Sequence, residues 1–486
     1  MLIIAVIAVP LVSAVAAAVV PWRRGIGWAM VASSTAVLGL GVALAVKTER
    51  HRAVGALAGV LRADALSAFM TIVIGAILLL ASIQSLRYLA VGITRGEHTI
   101  RHASLYTVLI QLFVACMLTA VLANNLGALW IAVEATTIAT TFLVGHRRND
   151  KALEASWKYL VICSVGIALA FLGTVFLYFA ALHAPGHVSG AAALDWTSLM
   201  RVSHHLDPAV VRLAMALVIL GYGTKVGFAP LHSWLPDAHS QAPAPVSALM
   251  SGVLLSVAFY AILRFKAVAD AALGPGYFRT VLLVAGLGSL FAAASLLLAQ
   301  RDLKRMLAYS SLEHMGLIAL GAAAGSTLAI AAVLLHILGH GIAKAVLFLA
   351  SGEILIVEGT TDIGGIPALL TRRPLLGGIF GFGIVALLGM PPFSLFVSEL
   401  NMIRAELQVG LGWAAALSLV AMAIVFVAVT HHGRRLLLGR SDEAQTSTSR
   451  LVAIPLVGGL AICAILGISA WPLQSLLYAA ASVVGR

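Results

Sequence analysis

Charge is scarce in this chain. Only 10% of its 486 residues are Asp, Glu, Lys or Arg, against roughly a quarter in soluble domains. That shortage excludes a water-soluble globular protein, and no tract of soluble-domain composition interrupts the sequence. Cysteine is scarcer still. Cys116, Cys163 and Cys463 lie far apart inside apolar runs, which excludes a disulfide framework and offers no ligand set for a haem or an iron–sulfur cluster. No basic stripe is interleaved with aromatic residues, so nucleic acid is excluded as a partner. What is abundant is apolar: 61% of the residues are hydrophobic. They fall in recurring runs of about 20, each long enough to cross roughly 30 Å of hydrocarbon as a helix.

These runs define an all-α polytopic membrane protein. Fourteen spans are expected near 2–21, 26–46, 65–89, 104–123, 126–145, 157–182, 209–230, 244–265, 277–299, 306–324, 326–357, 375–400, 408–432 and 451–478. No basic region precedes Leu2–Val20, so it reads as a mature helix rather than a cleaved signal. The longest connections are 183–208 and 433–450, the latter a polar surface loop. Of 31 Lys and Arg residues, 18 fall in or beside odd-numbered connections. The odd connections should therefore be cytoplasmic and both termini outside.

A few charges lie deep within spans: Glu134, Lys225 and Lys344, with Glu399 nearer an end. Each is costly at mid-bilayer, by about 2.5–3.5 kcal/mol on insertion scales, so function is the default reading and snorkelling or a structural ion pair the alternative. Lys344 is at least roughly 20 Å of helix from either end of its span, too far to snorkel. His336, His340 and Lys344 are spaced by four; at about 40° of drift per step they share one face. Histidine and a buried lysine both exchange protons near neutral pH, so the three form a proton ladder. Glu353 falls on the opposite face and is left off it. Glu134 and Lys225 could form a movable pair: together they favour each other's charged forms, and apart burial favours the neutral ones. Pro230, five residues after Lys225, and Pro391–Pro392, just before Glu399, interrupt the seventh and twelfth spans. Paired interrupted spans point to an internally repeated transporter.

The stretches "GYGTKVGFAPLHSWLPDAHSQAPAPVSALMSG", "QRDLKRMLAYSSLEHMG" and "HILGHGIAKAVLFLASGEI" carry a specific resemblance. Across about 65–432 the chain resembles the antiporter-like family shared by respiratory complex I, Mrp-type cation/proton antiporters and membrane-bound hydrogenases. Over "VEATTIATTFLVG" and the segment from Lys151 it is most similar to the F-type membrane component of hydrogenase-4 and formate hydrogenlyase. The resemblance implies N-terminal helices over 1–103, a five-helix repeat over 104–266, a second, inverted repeat over 277–432, and a polar loop with a last helix over 433–486. Helices seven and twelve would be broken. It also implies that Glu134 and Lys225 are the ion pair, that His336, His340 and Lys344 are the central relay, and that Glu399 lies near the exit. Many relatives carry a lysine where this chain has Ser256. Water, or histidines such as His232 and His239, would then have to span the gap. Glu313 stands where the family usually has glutamine.

Three readings follow. The leading one is a proton-translocating, multi-pass inner-membrane subunit of a hydrogenase-like or complex I-like oxidoreductase. Membrane and peripheral partner subunits would hold the nickel–iron and iron–sulfur centres, and this chain would hold no cofactor and no redox centre of its own. The second is a subunit of an Mrp-type sodium/proton antiporter. The third is a structural membrane anchor with a vestigial relay.

Overall fold

The computed structural model describes residues 1–185, 190–366, 368–439 and 448–485. Part of the connection expected at 183–208, the middle of that at 433–450, and Arg486 lie outside the described residues. The first helices are α1 (Leu2–Val19), α2 (Arg24–His51), α3 (Ala65–Thr94), α4 (Ile100–Leu122), α5 (Leu126–Val144) and α6 (Asp150–His183). Then come the short α7 (Trp196–Val202), α8 (Pro208–Val226) and α9 (Trp234–Gln241). Next, α10 (Ala244–Leu249) runs through a π turn into α11 (Leu255–Leu273). The chain continues as α12 (Pro275–Leu297), α13 (Leu303–Ala324), α14 (Thr327–Glu358), α15 (Leu369–Arg372), α16 (Pro374–Leu387), α17 (Ser394–Gln408), α18 (Gly412–Leu437), α19 (Arg450–Ile468) and α20 (Trp471–Val484).

Among the described residues, twelve helices are long and apolar enough to cross a membrane. The other two expected spans differ for identifiable reasons. Within α13 the apolar run is diluted by Lys304, Arg305, Glu313 and His314. The span expected at 375–400 is split into α16 and α17. The last expected span also stops early, at Ile468, and restarts at Trp471.

Both interrupted spans break next to an ionisable residue, and a glycine makes each break. Gly227 is left-handed (φ 88°) and its N–H returns to the Gly223 carbonyl, ending α8 two residues after Lys225. Gly389 (φ 59°) follows α16, and a Cβ there would collide with the Glu399 carboxylate. Only glycine meets both demands, a positive φ and no side chain.

α14 occupies the middle of the bundle. Ser326 caps its first turn by accepting from the Ala329 N–H, and left-handed Gly359 closes its end. Every residue from Ala329 to Ile354 is buried, the polar His336, His340, Lys344 and Glu353 included. Helices α3, α10, α13, α16, α17, α19 and α20 pack around it.

One end of the bundle is closed by an element absent from the expected spans, an antiparallel hairpin of β1 (Ala53–Ala56) and β2 (Leu61–Asp64). Asp64 at its end caps α3 through the Ser67 N–H. Its two oxygens also accept from the Arg264 guanidinium of α11, at 2.7 and 2.8 Å. Arg264 lies over the rings of Trp196 and Tyr260, and the Trp196 indole donates to the Arg264 carbonyl. Burial pushes the Asp64 carboxyl up, but Arg264 and the Ser67 N–H outweigh it and hold the group below the usual carboxylate range. A depressed acid stabilises the fold above its unfolded value of about 3.9 and loses that contribution only as pH falls through the folded value. The clamp is therefore intact at neutral pH. Asp64→Asn should leave Arg264 buried and unpaired and cost about 3–5 kcal/mol. Thermal unfolding in detergent should show a lowered midpoint; an unchanged midpoint would contradict the clamp.

Candidate functional site

Glu134 is half-buried on α5. Its carboxylate accepts from Ser164 Oγ (2.9 Å) and from Thr137 Oγ1 (3.1 Å). Lys225, fully buried in the last turn of α8, donates to Thr137 Oγ1 (2.8 Å) and to the Tyr159 hydroxyl (2.6 Å). The expected Glu134–Lys225 ion pair is thus indirect: one hydroxyl takes a hydrogen bond from the lysine and gives one to the glutamate. Tyr159 OH also contacts Thr140 Oγ1 at 2.6 Å, and its ring packs on Trp234 of α9. The threonines follow from "EATTIATT", where 137 lies one turn after 134 and 140–141 one turn further.

Beyond α8, Ser256 is buried and its Oγ makes no hydrogen bond. It follows the π turn Met250–Leu254 in the same helix; such turns often mark functional positions. His239 of α9 is fully buried, with neither ring nitrogen hydrogen-bonded. Its ring stacks on Phe348 of α14 at 5.2 Å, one turn beyond Lys344. His232 is only partly buried. Lys304, which reads in sequence as a loop charge, is buried and donates to the Ser240 and Ala242 carbonyls at the end of α9. A cation is favoured at such a helix C-terminus.

His336, His340 and Lys344 are all fully buried. The two imidazoles of α14 lie parallel, 6.4 Å apart. A third imidazole joins them: His314 of α13 has its ring centroid 5.1 Å from His336 and 4.9 Å from His340. The three imidazoles therefore zigzag between two helices rather than forming a ladder on one. His314 sits in "SSLEHMG", where Glu313 drew notice and its neighbour did not. The signal that could have found it is a second histidine-bearing helix adjoining α14 in sequence. Lys344 turns to the same helix, donating to the Leu307 carbonyl and Ser310 Oγ, both at 2.5 Å. Glu353, left off the ladder, makes a bidentate pair with Arg87 of α3.

Hydrogen bonds link the imidazoles to one another and to α17. Ser398 Oγ, which also reaches the Leu395 carbonyl, lies 2.9 Å from His336 Nδ1. His336 Nε2 lies 3.1 Å from His314 Nδ1. Glu399 of α17 adjoins both histidines. With Glu313 it faces a cavity of about 410 Å³ whose rim includes the exposed Leu400 and Phe426. Together these groups can pass protons between hydroxyls, imidazoles, amines and carboxylates inside an otherwise apolar bundle.

A bundle of membrane-crossing helices with its ionisable groups gathered around an enclosed central helix is a polytopic membrane protein with an internal polar axis. Residues 123–425 match the family described as NADH:quinone oxidoreductase/Mrp antiporter, transmembrane. The chain belongs to that family. It is 41% identical over 318 residues to the hydrogenase-4 component F homolog of Methylacidiphilum infernorum, covering 65% of this chain and 66% of that protein. It is 31% identical over 386 residues to hydrogenase-4 component B of Escherichia coli K12, covering 76% of this chain and 54% of that protein. The chain thus spans just under two thirds of the first relative and about half of the second. In fold it matches a chain of the archaeal membrane-bound sulfane sulfur reductase (TM-score 0.88, 24% identity, 99% and 97% of the two chains). It also matches a chain of the Mrp complex from Dietzia sp. DQ12-45-1b (TM-score 0.86, 22% identity, 99% and 97%).

Ser398→Ala removes the hydrogen-bond partner of His336 Nδ1. In ¹⁵N-labelled protein the His336 ring nitrogens should shift relative to the native protein. Unchanged shifts would contradict that hydrogen bond.

Proposed function

We propose that this chain is the proton-translocating, antiporter-like membrane subunit of a hydrogenase-like or complex I-like oxidoreductase in the inner membrane, with both termini outside. One observation carries the reading: His336, His340 and Lys344 are wholly enclosed in protein at the centre of the bundle, where charge is costly unless used. Family membership and the hydrogenase-4 relatives support it. Nickel–iron and iron–sulfur chemistry belongs, in this reading, to partner subunits, and this chain couples it to proton movement.

The path runs from Glu134 through the Thr137–Lys225–Tyr159 hydroxyl cluster to His239, then to Lys344 and His340, and through His314 and His336 to Glu399. His239 takes the place that Ser256 cannot fill, because serine holds no charge. His239, His340 and Ser256 make no side-chain hydrogen bond within the protein. A buried polar atom left so costs about 1–3 kcal/mol, and a bridging water that meets two to four such groups relieves the cost. The path is therefore one of short protein links joined by water. The two breaks, each a left-handed glycine followed by proline and a second helix, support two related halves, 104–266 and 277–432. In the first half Lys225 lies before the break; in the second Glu399 lies after it.

Two experiments test the proposal. Lys225→Ala and Lys344→Ala should leave the complex assembled and lower proton uptake by vesicles to background. Normal uptake by both would refute the assignment. Dependence on sodium with no electron donor present would instead favour the Mrp-type reading, for which the fold match to the Mrp complex is the specific observation. Thr137→Val should lower the rate at least tenfold, a barrier increase of about 1.4 kcal/mol, whereas Thr137→Ser keeps the bridging hydroxyl and the rate. Equal rates for the two variants would show that Thr137 does not bridge.

A further inference from the structure

The enclosed His314–His336–Glu399 cluster has a second chemical capacity. One nitrogen of each histidine and one carboxylate oxygen of Glu399 lie within 4.8 Å of one another, and all three residues are buried. We propose that these three side chains form a binding site for a divalent ion of the zinc class.

The donor set selects the metal. Two imidazoles and one carboxylate, with a fourth position for water, are a common zinc combination. Sodium, magnesium and calcium prefer all-oxygen shells, which this cluster does not offer. Tetrahedral zinc with bonds of about 2.0–2.1 Å sets its ligand atoms about 3.3 Å apart. Small side-chain shifts therefore close the site, with the His314–His336 hydrogen bond exchanged for two metal bonds. Further features make it a built site. The second nitrogen of His336 is held by Ser398, the outer-shell contact that orients a metal-bound imidazole. Glu313 faces the same cavity as Glu399 and offsets the charge of a dication bound by one carboxylate.

Binding at this place depends only on the local geometry. Its effect on proton movement rests on the function proposed above: the ion would withdraw two imidazoles and a carboxylate from the relay and stop it.

The test uses cobalt(II) as a spectroscopic substitute for zinc, added to the intact purified complex. One ion per chain is expected, with the visible absorption of low-coordinate cobalt, displaced by zinc. X-ray absorption of the zinc form should report two histidine nitrogens. His314→Ala, His336→Ala and the near-isosteric Glu399→Gln should each weaken binding at least tenfold. His183→Ala, at an exposed position, should leave it unchanged. Size-exclusion profiles identify any variant that fails to assemble, and Glu399→Gln keeps the test open if a histidine variant does. No bound ion, binding unaffected by all three substitutions, or binding lost with His183→Ala would each overturn the site. Zinc bound at these ligands without any loss of proton uptake would uphold the site and count against the relay.

Discussion

Everything in this structure depends on the enclosure of α14. Removing a lysine and two histidines from both water and lipid is tolerable only if protein surrounds them and supplies partners. Seven helices do so. They provide a backbone carbonyl and a serine for Lys344, and an imidazole and a serine for His336. The breaks beside Lys225 and Glu399 belong to the same constraint, since irregular backbone at membrane depth is tolerated where protein covers it or water fills it. At the bundle's end the Asp64–Arg264 clamp holds the hairpin, α3 and α11 in one register.

The polar links are built from hydroxyls more than from direct ion pairs. Thr137 stands between Glu134 and Lys225, Ser310 receives Lys344, and Ser398 fixes His336. A hydroxyl can give and accept a hydrogen bond at once, so it connects charged groups without binding them as tightly as an opposite charge would. A tight buried pair tends to hold its charges in place. A threonine between them lets a proton shift with small rearrangements. This favours transport over a purely structural role for the same residues.

Much of the fold was legible because apolar run length sets membrane helices directly. The interrupted spans were legible from Pro230 and from Pro391–Pro392. The β-hairpin was not, because "AVGALAGVLRAD" has no alternating pattern and its pairing is set by contacts with Arg264 and Trp196. At the site, the spacing of His336, His340 and Lys344 placed them correctly on one helix, but it could not show that His314 of another helix lies between the rings. Lys304 was missed because a charge near a span end reads as solvated; only the fold brings the end of α9 over it. The sequence singled out Glu134 and Lys225 as a pair, but the hydroxyl between them depends on how α5, α6 and α8 meet.

The central claim is that water completes the links between Lys225, His239, His340 and Glu399. The most direct measurement is a high-resolution structure of the intact complex in its working states, with ordered water resolved. The account predicts waters within hydrogen-bonding distance of His239, His340 and Ser256 Oγ in at least one state, joining the two halves of the axis. Dry, closely packed apolar side chains between these groups in every state would contradict it.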